Sequence, residues 1–381
     1  MPDPKVPADD HRFPCTKCGA DMRFAPGQGQ LICDHCGNTE PLTTARAKPG
    51  SIPETAFRRG IEDSLPDAAT EERHLSHCPN CGAEVEFDPA VHAMECPFCA
   101  TPVVADPGIS RRIRPHGVAP FLVTEPQARE AMGKWLGSLW FAPNGLLDYA
   151  RKGRKLEGVY LPYWTYDAQT QSSYTGQRGT VYYTTRPVTV RDQNGNMRTE
   201  MRQEAQIRWS PASGRVRRFF DDVLVLASRS LPRDHTEALM PWDLSHLEPY
   251  QPEFLAGFRS ETYTISLDEG MDEARAWMDR MIERDVRFDI GGDRQMITSI
   301  DTTLSDVTFK HVLLPVWTAA YRFGGSSYRF VVNGQTGKVQ GERPWSKVKL
   351  ALAFLALAIL IGSAVWVMQN PEVQRYLNGQ P

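Results

Sequence analysis

The chain has 381 residues, enough for two or more domains, and its 43 basic and 46 acidic side chains leave a net charge of −3 at pH 7. A dedicated nucleic-acid binder carries a strong basic bias, so the charge balance argues against DNA as the main partner. The opening stretch MPDPKVPADDHRFP is polar and proline-rich, unlike the apolar core of a secretory signal.

Residues 12–40 and 76–104 carry two copies of one cysteine pattern. Cys15-Thr-Lys-Cys18 is followed, after fourteen residues, by Cys33-Asp-His-Cys36, and Cys78-Pro-Asn-Cys81 stands at the same spacing from Cys96-Pro-Phe-Cys99. The copies are offset by 63 residues, and Gly19, Ala20, Phe24 and Pro26 recur as Gly82, Ala83, Phe87 and Pro89, which marks an internal duplication. A Cys-x-x-Cys turn brings two thiolates to one ion, and a second such turn completes a tetrahedron of sulfur. The small residues after each pair, Gly19, Gly37, Gly82 and Ala100, suit the tight turn involved. Two structural Zn2+ sites are therefore expected, with all eight cysteines as ligands. Four thiolates close a site, whereas catalytic zinc keeps a position open for water. Disulfides are disfavoured in a reducing cytoplasm, and a thioredoxin-like pair lacks its βαβ context here. With four cysteines per ion, His35, His74, His77 and His92 are expected to face solvent.

Residues 41–75 read as a linker, in which Ile52, Ala56, Phe57 and Ile61 suit either a docked short helix or a tether. From residue 111 the composition becomes that of an α+β region, divided into 111–240 and 241–345. Val118 to Val123 reads as a strand. Thr124, Pro126 and Gln127 then cap a helix to about Trp140. Phe258 to Ser266 alternates as a strand, and a helix to about Asp285 follows, with Ala274, Trp277, Met278, Met281 and Ile282 at helical spacing. Leu161-Pro-Tyr-Trp-Thr165 is echoed by Leu314-Pro-Val-Trp-Thr318, and each is followed by Ser-Ser-Tyr, at 172–174 and 326–328. The echo predicts duplicated repeats, each a helix packed on an antiparallel sheet, with Trp164 and Trp317 in the core.

Gly179–Thr185 and Met197–Trp209 alternate at period two about Asp192-Gln-Asn-Gly195, a hairpin signal. Gly214-Arg-Val-Arg-Arg-Phe-Phe-Asp-Asp222 is the most basic local patch. It reads as a solvated strand with its aromatics inward, or as a contact for phosphates. A closing hairpin is expected at Asn333-Gly334.

Leu350 to Met368 contains no charge and spans about 28 Å as a helix, close to a bilayer's hydrocarbon thickness. A transmembrane helix over 348–369 is expected, with a short tail at 370–381. Arg343, Lys347 and Lys349 precede it and only Arg375 follows closely, which places the N-terminal bulk in the cytoplasm in tail-anchored fashion. Trp345 and Trp366 stand where interfacial aromatics belong. Ala358 and Gly362 form a small-xxx-small pair that suits homo-oligomer contacts.

These segments together resemble a bacterial family of zinc-ribbon proteins with a C-terminal transmembrane segment. The likeness rests on Leu161–Asp167 with Tyr174–Gly179, on Phe219–Ala227, on Asp285–Asp293, and on Val332-Asn-Gly-Gln-Thr-Gly-Lys-Val-Gln-Gly-Glu342. Members are labelled as transcription-factor-B-type ribbons or as primosomal (replication factor Y) helicase relatives. Some relatives accompany band-7 (SPFH) or phage-shock-type membrane proteins. The resemblance thus implies a scaffold role at a bacterial cytoplasmic membrane, with protein partners.

Motor activity does not follow. Gly334-Gln-Thr-Gly-Lys338 is too short for a phosphate-cradling loop and lacks the hydroxyl residue after its lysine. The sequence shows neither a His-Glu-x-x-His nor a Gly-x-Ser-x-Gly motif. The acidic pairs Asp221/Asp222 and Asp289/Asp293 read as solvated turns. The expectation is a non-enzymatic, membrane-anchored adaptor. The alternative is a membrane-tethered nucleic-acid binder using Arg12, Lys17 and Arg23.

Overall fold

A computed structural model describes residues 13–42, 52–61, 65–66, 69–86, 93–99, 101–104, 108–143, 156–191, 197–323, 326–343 and 345–369. Phe87, Pro89, His92, Ala100, the 192–195 turn and the 370–381 tail lie outside these residues. The architecture is α+β and strand-rich. Three long strands dominate it: β1 (Glu157–Arg191), β2 (Met197–Leu226) and β3 (Arg294–Phe323). β1 lies between β2 and β3, antiparallel to both, and β4 (Ser326–Asn333) and β5 (Val339–Gly341) continue the sheet beyond β3.

At 35 residues, β1 is about 115 Å long, and its environment changes along its length. From Val159 to Ala168 every residue is buried; from Gln169 to Thr175 exposed and buried residues alternate; beyond Gly179 nearly all are open. The fully buried base has cover on both faces, which is why its sequence is apolar without alternation.

One face carries α1 (Glu125–Ser138), the first cysteine unit and the 250–258 segment, all packed around Tyr160, Leu313, Trp317 and Phe330. The other carries the second cysteine unit and the 231–247 segment, around Val159, Leu161, Tyr163, Val312 and Leu314. Farther along the first face lies α2 (Leu267–Ile290), whose Ala274, Met278, Ile282, Val286 and Ile290 form one stripe at spacing four. That stripe meets Tyr166, Ala168, Tyr174 and Phe220.

α1 begins with the expected capping chemistry, and α2 shows the same arrangement at Ser266. The Thr124 amide donates to Gln127 at 2.8 Å, and the Ser266 amide to Glu269 at 3.2 Å. α1 stops two residues short of Trp140, while α2 runs five residues past Asp285.

The two Leu-Pro-x-Trp-Thr runs lie on neighbouring strands with Leu161 opposite Leu314. Each tryptophan is buried, as expected, and ties down the entrance of a helix. The Trp164 indole donates to the Ile265 carbonyl at 3.0 Å, and Trp317 to Val123 at 2.9 Å. Gly117–Val118 runs parallel to β3, and Arg259–Ser260 runs parallel to β1. The stretches 111–240 and 241–345 thus build one shared sheet, not two separate ones.

Past Gly179, β1 and β2 continue as a two-stranded blade ending at Arg191 and Met197. Its cross-strand pairs sort by face. Trp209, Val181, Ile207, Tyr183, Pro187 and Met201 share one side, and Arg208, Glu204, Arg186 and Arg202 share the other. The blade is amphipathic but open on both faces.

The linker region is docked where it is described. Thr55–Ala56 pairs with Thr308 and Phe309, and the Phe57 ring sits 6.1 Å from Tyr166. The expected closing hairpin forms with a wider loop. The buried Asn333 side chain accepts from the amides of Gln335 and Thr336 at 2.8 and 2.9 Å, and Gly337 supplies a positive φ of 75°.

Candidate metal centres

Each cysteine quartet is assembled from two local turns. In all four turns the first cysteine's amide donates to the carbonyl five residues on: Cys15 to Ala20, Cys33 to Asn38, Cys78 to Ala83 and Cys96 to Thr101, at 2.8–2.9 Å. Gly19, Gly37 and Gly82 close the loop back onto Cys15, Cys33 and Cys78, with φ of 74°, 72° and 75°. A side chain at those glycines would be strained, so the small residue after each pair has a backbone cause. The corresponding Ala100 lies outside the described residues.

Short hairpins then bring the turns together. Cys15 and Cys36 sulfurs lie 3.6 Å apart, Cys18 and Cys33 3.5 Å, and Cys78–Cys99 and Cys81–Cys96 both 3.6 Å. All four sulfurs of each group fall within 4.8 Å of one another. A disulfide requires about 2.05 Å. Four sulfurs at about 2.3 Å from a central ion stand about 3.8 Å apart, so the quartets fit a tetrahedral metal ion and are consistent with zinc.

The electrostatics agree. Burial opposes ionisation of Cys15, but the amides of Lys17 and Cys18 outweigh it and lower its thiol to about 6. The Ala20 amide favours a Cys18 thiolate, yet the sulfurs of Cys33, Cys36 and Cys15 overcome that and push it up to about 12. In the second quartet, the Cys81 thiol lowers Cys96 to about 5 and is itself driven up by it. Four thiolates this close repel, and a divalent cation is what allows all of them to ionise together.

The quartets differ in access. Cys15 and Cys33 are buried while Cys18 and Cys36 are exposed; in the second group Cys78, Cys96 and Cys99 are buried and Cys81 half-buried. His35 and His77 face solvent, as expected.

Two buried polar groups escaped the sequence reading. Glu261, 1% exposed, accepts hydrogen bonds from Ser228 and Ser230 at 2.7 and 2.9 Å beside the second quartet. Burial raises its carboxyl to about 8. Lys310 reaches Asp222 at 2.7 Å, Glu54 at 3.3 Å and Asp167 at 3.6 Å. β1 carries a register shift against each neighbour around Asp167, and Asp222 takes a positive φ of 49°, so the sheet bends to gather these charges. Nothing local in the sequence links Lys310 to Asp167; a hydrophilic pair inside an apolar strand is the only signal.

Asp221, Asp289 and Asp293 are exposed, as expected of solvated carboxylates, but Asp222 is half-buried and three of the four have specific partners. Asp222 binds Lys310, Asp289 accepts from the Tyr174 hydroxyl at 2.5 Å, and Asp293 accepts from the Val181 amide at 2.7 Å. The basic patch splits by strand parity. Phe220 faces α2 and Phe219 faces solvent on the side of Arg215 and Arg217, while Arg218 pairs with Asp285 at 3.1 Å.

α3 (Lys347–Gln369) is long and apolar enough to cross a membrane, and no residue of its Lys347–Trp366 stretch is buried.

Fold and centres together define a strand-rich α+β protein with two four-cysteine clusters and one apolar C-terminal helix. It is similar to an uncharacterized protein of Bacillus subtilis (strain 168), YdjG, at 25% identity over 351 residues, which cover 91% of this chain and 94% of that protein. No family model and no solved structure matches the chain.

Proposed function

We propose that this protein is a non-enzymatic adaptor anchored in a bacterial cytoplasmic membrane by α3, with its bulk in the cytoplasm and two structural zinc ribbons bracing the sheet. The observation that carries the reading is the apolar C-terminal helix, none of it buried, attached to a body whose two-stranded blade is amphipathic and open on both faces. Closed thiolate quartets serve architecture, since a catalytic zinc needs an open coordination position. Arg343 before α3 and Lys347 and Lys349 in its first turn support the cytoplasmic orientation. The transcription-factor-B and primosomal labels describe ribbons of this kind and carry no activity to the rest of the chain. A band-7-type membrane protein is the partner class suggested by the resemblance.

The test is co-purification from detergent-solubilised membranes with such a protein. The complex is expected with the full chain and is expected to be lost when α3 is removed. A full chain that fractionates as soluble without detergent, or that retains no protein partner, contradicts the reading. The second reading, nucleic-acid binding through Arg12, Lys17 and Arg23 of the first ribbon, also draws on Arg215 and Arg217, which share a strand face with exposed Phe219. It requires binding that weakens steeply with salt, and flat or absent binding at low salt removes it.

A further inference from the structure

Where α3 leaves the body, the surface is unlike the rest. A groove of about 590 Å3 is walled by Leu136, Leu139, Trp140 and Phe141 at the exit of α1 and by Lys349 and Leu352 of α3. Trp140 is 84% exposed and Trp345 53%. Rings left this bare suit headgroup depth, where one edge meets hydrocarbon and the other water.

The groove is held in shape by polar ties. The Lys349 ammonium donates to the Ala142 carbonyl at 2.8 Å, the Ser346 amide donates to the Phe141 carbonyl at 2.8 Å, and Phe141 and Trp345 rings lie 6.2 Å apart. The α1 exit therefore enters whatever medium surrounds the first turns of α3. Leu352 lies about 5 Å along the helix from Lys349, so the apolar wall starts just below the cations.

Charge points the same way. Arg343 stacks over Trp345 at 4.3 Å, Lys347 and Lys349 follow, and residues 343–369 contain no acidic side chain. Glu342, next in sequence, faces the Arg329 guanidinium at 3.8 Å.

We propose that this groove is a binding site for an anionic phospholipid of the surrounding bilayer. One acyl chain lies against Leu139 and Leu352, and the phosphate sits beside Lys349, within the field of Arg343 and Lys347. Trp140 closes the groove at headgroup depth. The assignment rests on the membrane reading of α3 and adds a ligand to it.

The full-length protein in lipid nanodiscs provides the test. One set of discs holds phosphatidylglycerol with a photoactivatable diazirine in its acyl chain, and the other holds phosphatidylcholine with the same probe. Cross-links are expected within residues 136–142, about tenfold more from phosphatidylglycerol, given the cations beside the groove. Arg343→Gln with Lys347→Gln is expected to abolish the headgroup preference while leaving the protein in the discs. Trp140→Ser is expected to reduce the cross-link yield under both conditions. Cross-links confined to residues 354–368, or equal yields from the two lipids, overturn the lipid site while leaving the membrane reading intact. A chain that fails to enter discs at all overturns both.

Discussion

The two cysteine units share their turns but not their settings. The first leaves Cys18 and Cys36 exposed and rests on aromatic rings, with Phe24 tilted against Phe254 at 5.3 Å and Phe258 at 6.5 Å. The second buries three of its four cysteines in an apolar cluster bordered by polar groups. Arg112 holds Glu84 at 2.7 Å, Arg259 donates to the Glu95 carbonyl at 3.1 Å, and Glu261 lies close by. Backbone hydrogen bonds a few residues long fix the turn, whereas tertiary packing decides how solvent reaches the sulfurs. A duplicated unit can therefore be placed on opposite faces of one sheet and acquire different exchange behaviour at each.

Metal removal should expose that difference most strongly. Structural zinc contributes folding free energy on the order of 10 kcal/mol per site. A chelator is expected to release metal in two phases, the faster from the exposed first unit, and Cys33→Ser should eliminate the fast phase alone. Release in one phase erases the contrast. Next in size, Phe24→Ala is expected to cost about 3–5 kcal/mol in denaturant unfolding and to accelerate metal loss from the first unit only. Equal acceleration at both units breaks the comparison.

Glu261→Gln sharpens the other side. Its folded carboxyl stands near 8, above the ordinary 4.5, so the folded state retains the proton. Its contribution is complete below pH 4.5 and is lost as pH rises through 8. Glutamine has no proton to lose, so the variant is expected to gain on the parent by several kcal/mol between pH 4.5 and 8, read as denaturant midpoints. A constant difference across that range contradicts a buried neutral carboxyl. Smallest is Asp34→Ala, which removes the exposed ion pair to Arg23 at 2.8 Å and should change stability by less than about 0.5 kcal/mol.

The cysteine quartets were legible in the sequence because each turn is a local object: spacing, glycine and hairpin length suffice. Helix entrances were legible for the same reason, through Thr124 and Gln127. The long sheet was not. Its strand pairing joins segments far apart in the chain, such as Leu161 with Leu314, and sequence similarity between them does not say whether they form two sheets or one. Strand parity was equally hidden, so Phe219 and Phe220 were expected to point inward together although adjacent strand residues face opposite ways. The 41–75 region read as either docked or tethered because its anchors, Glu54 to Lys310 and Thr55 to Phe309, are supplied by residues far away in the chain.

X-ray absorption at the zinc edge, with metal content measured on the same full-length sample, tests the central claim most directly. Two zinc ions per chain, each in a shell of four sulfurs at about 2.3 Å, is the predicted result. Fewer than two ions, or nitrogen or oxygen in either shell, would contradict a pair of closed thiolate centres built into the sheet.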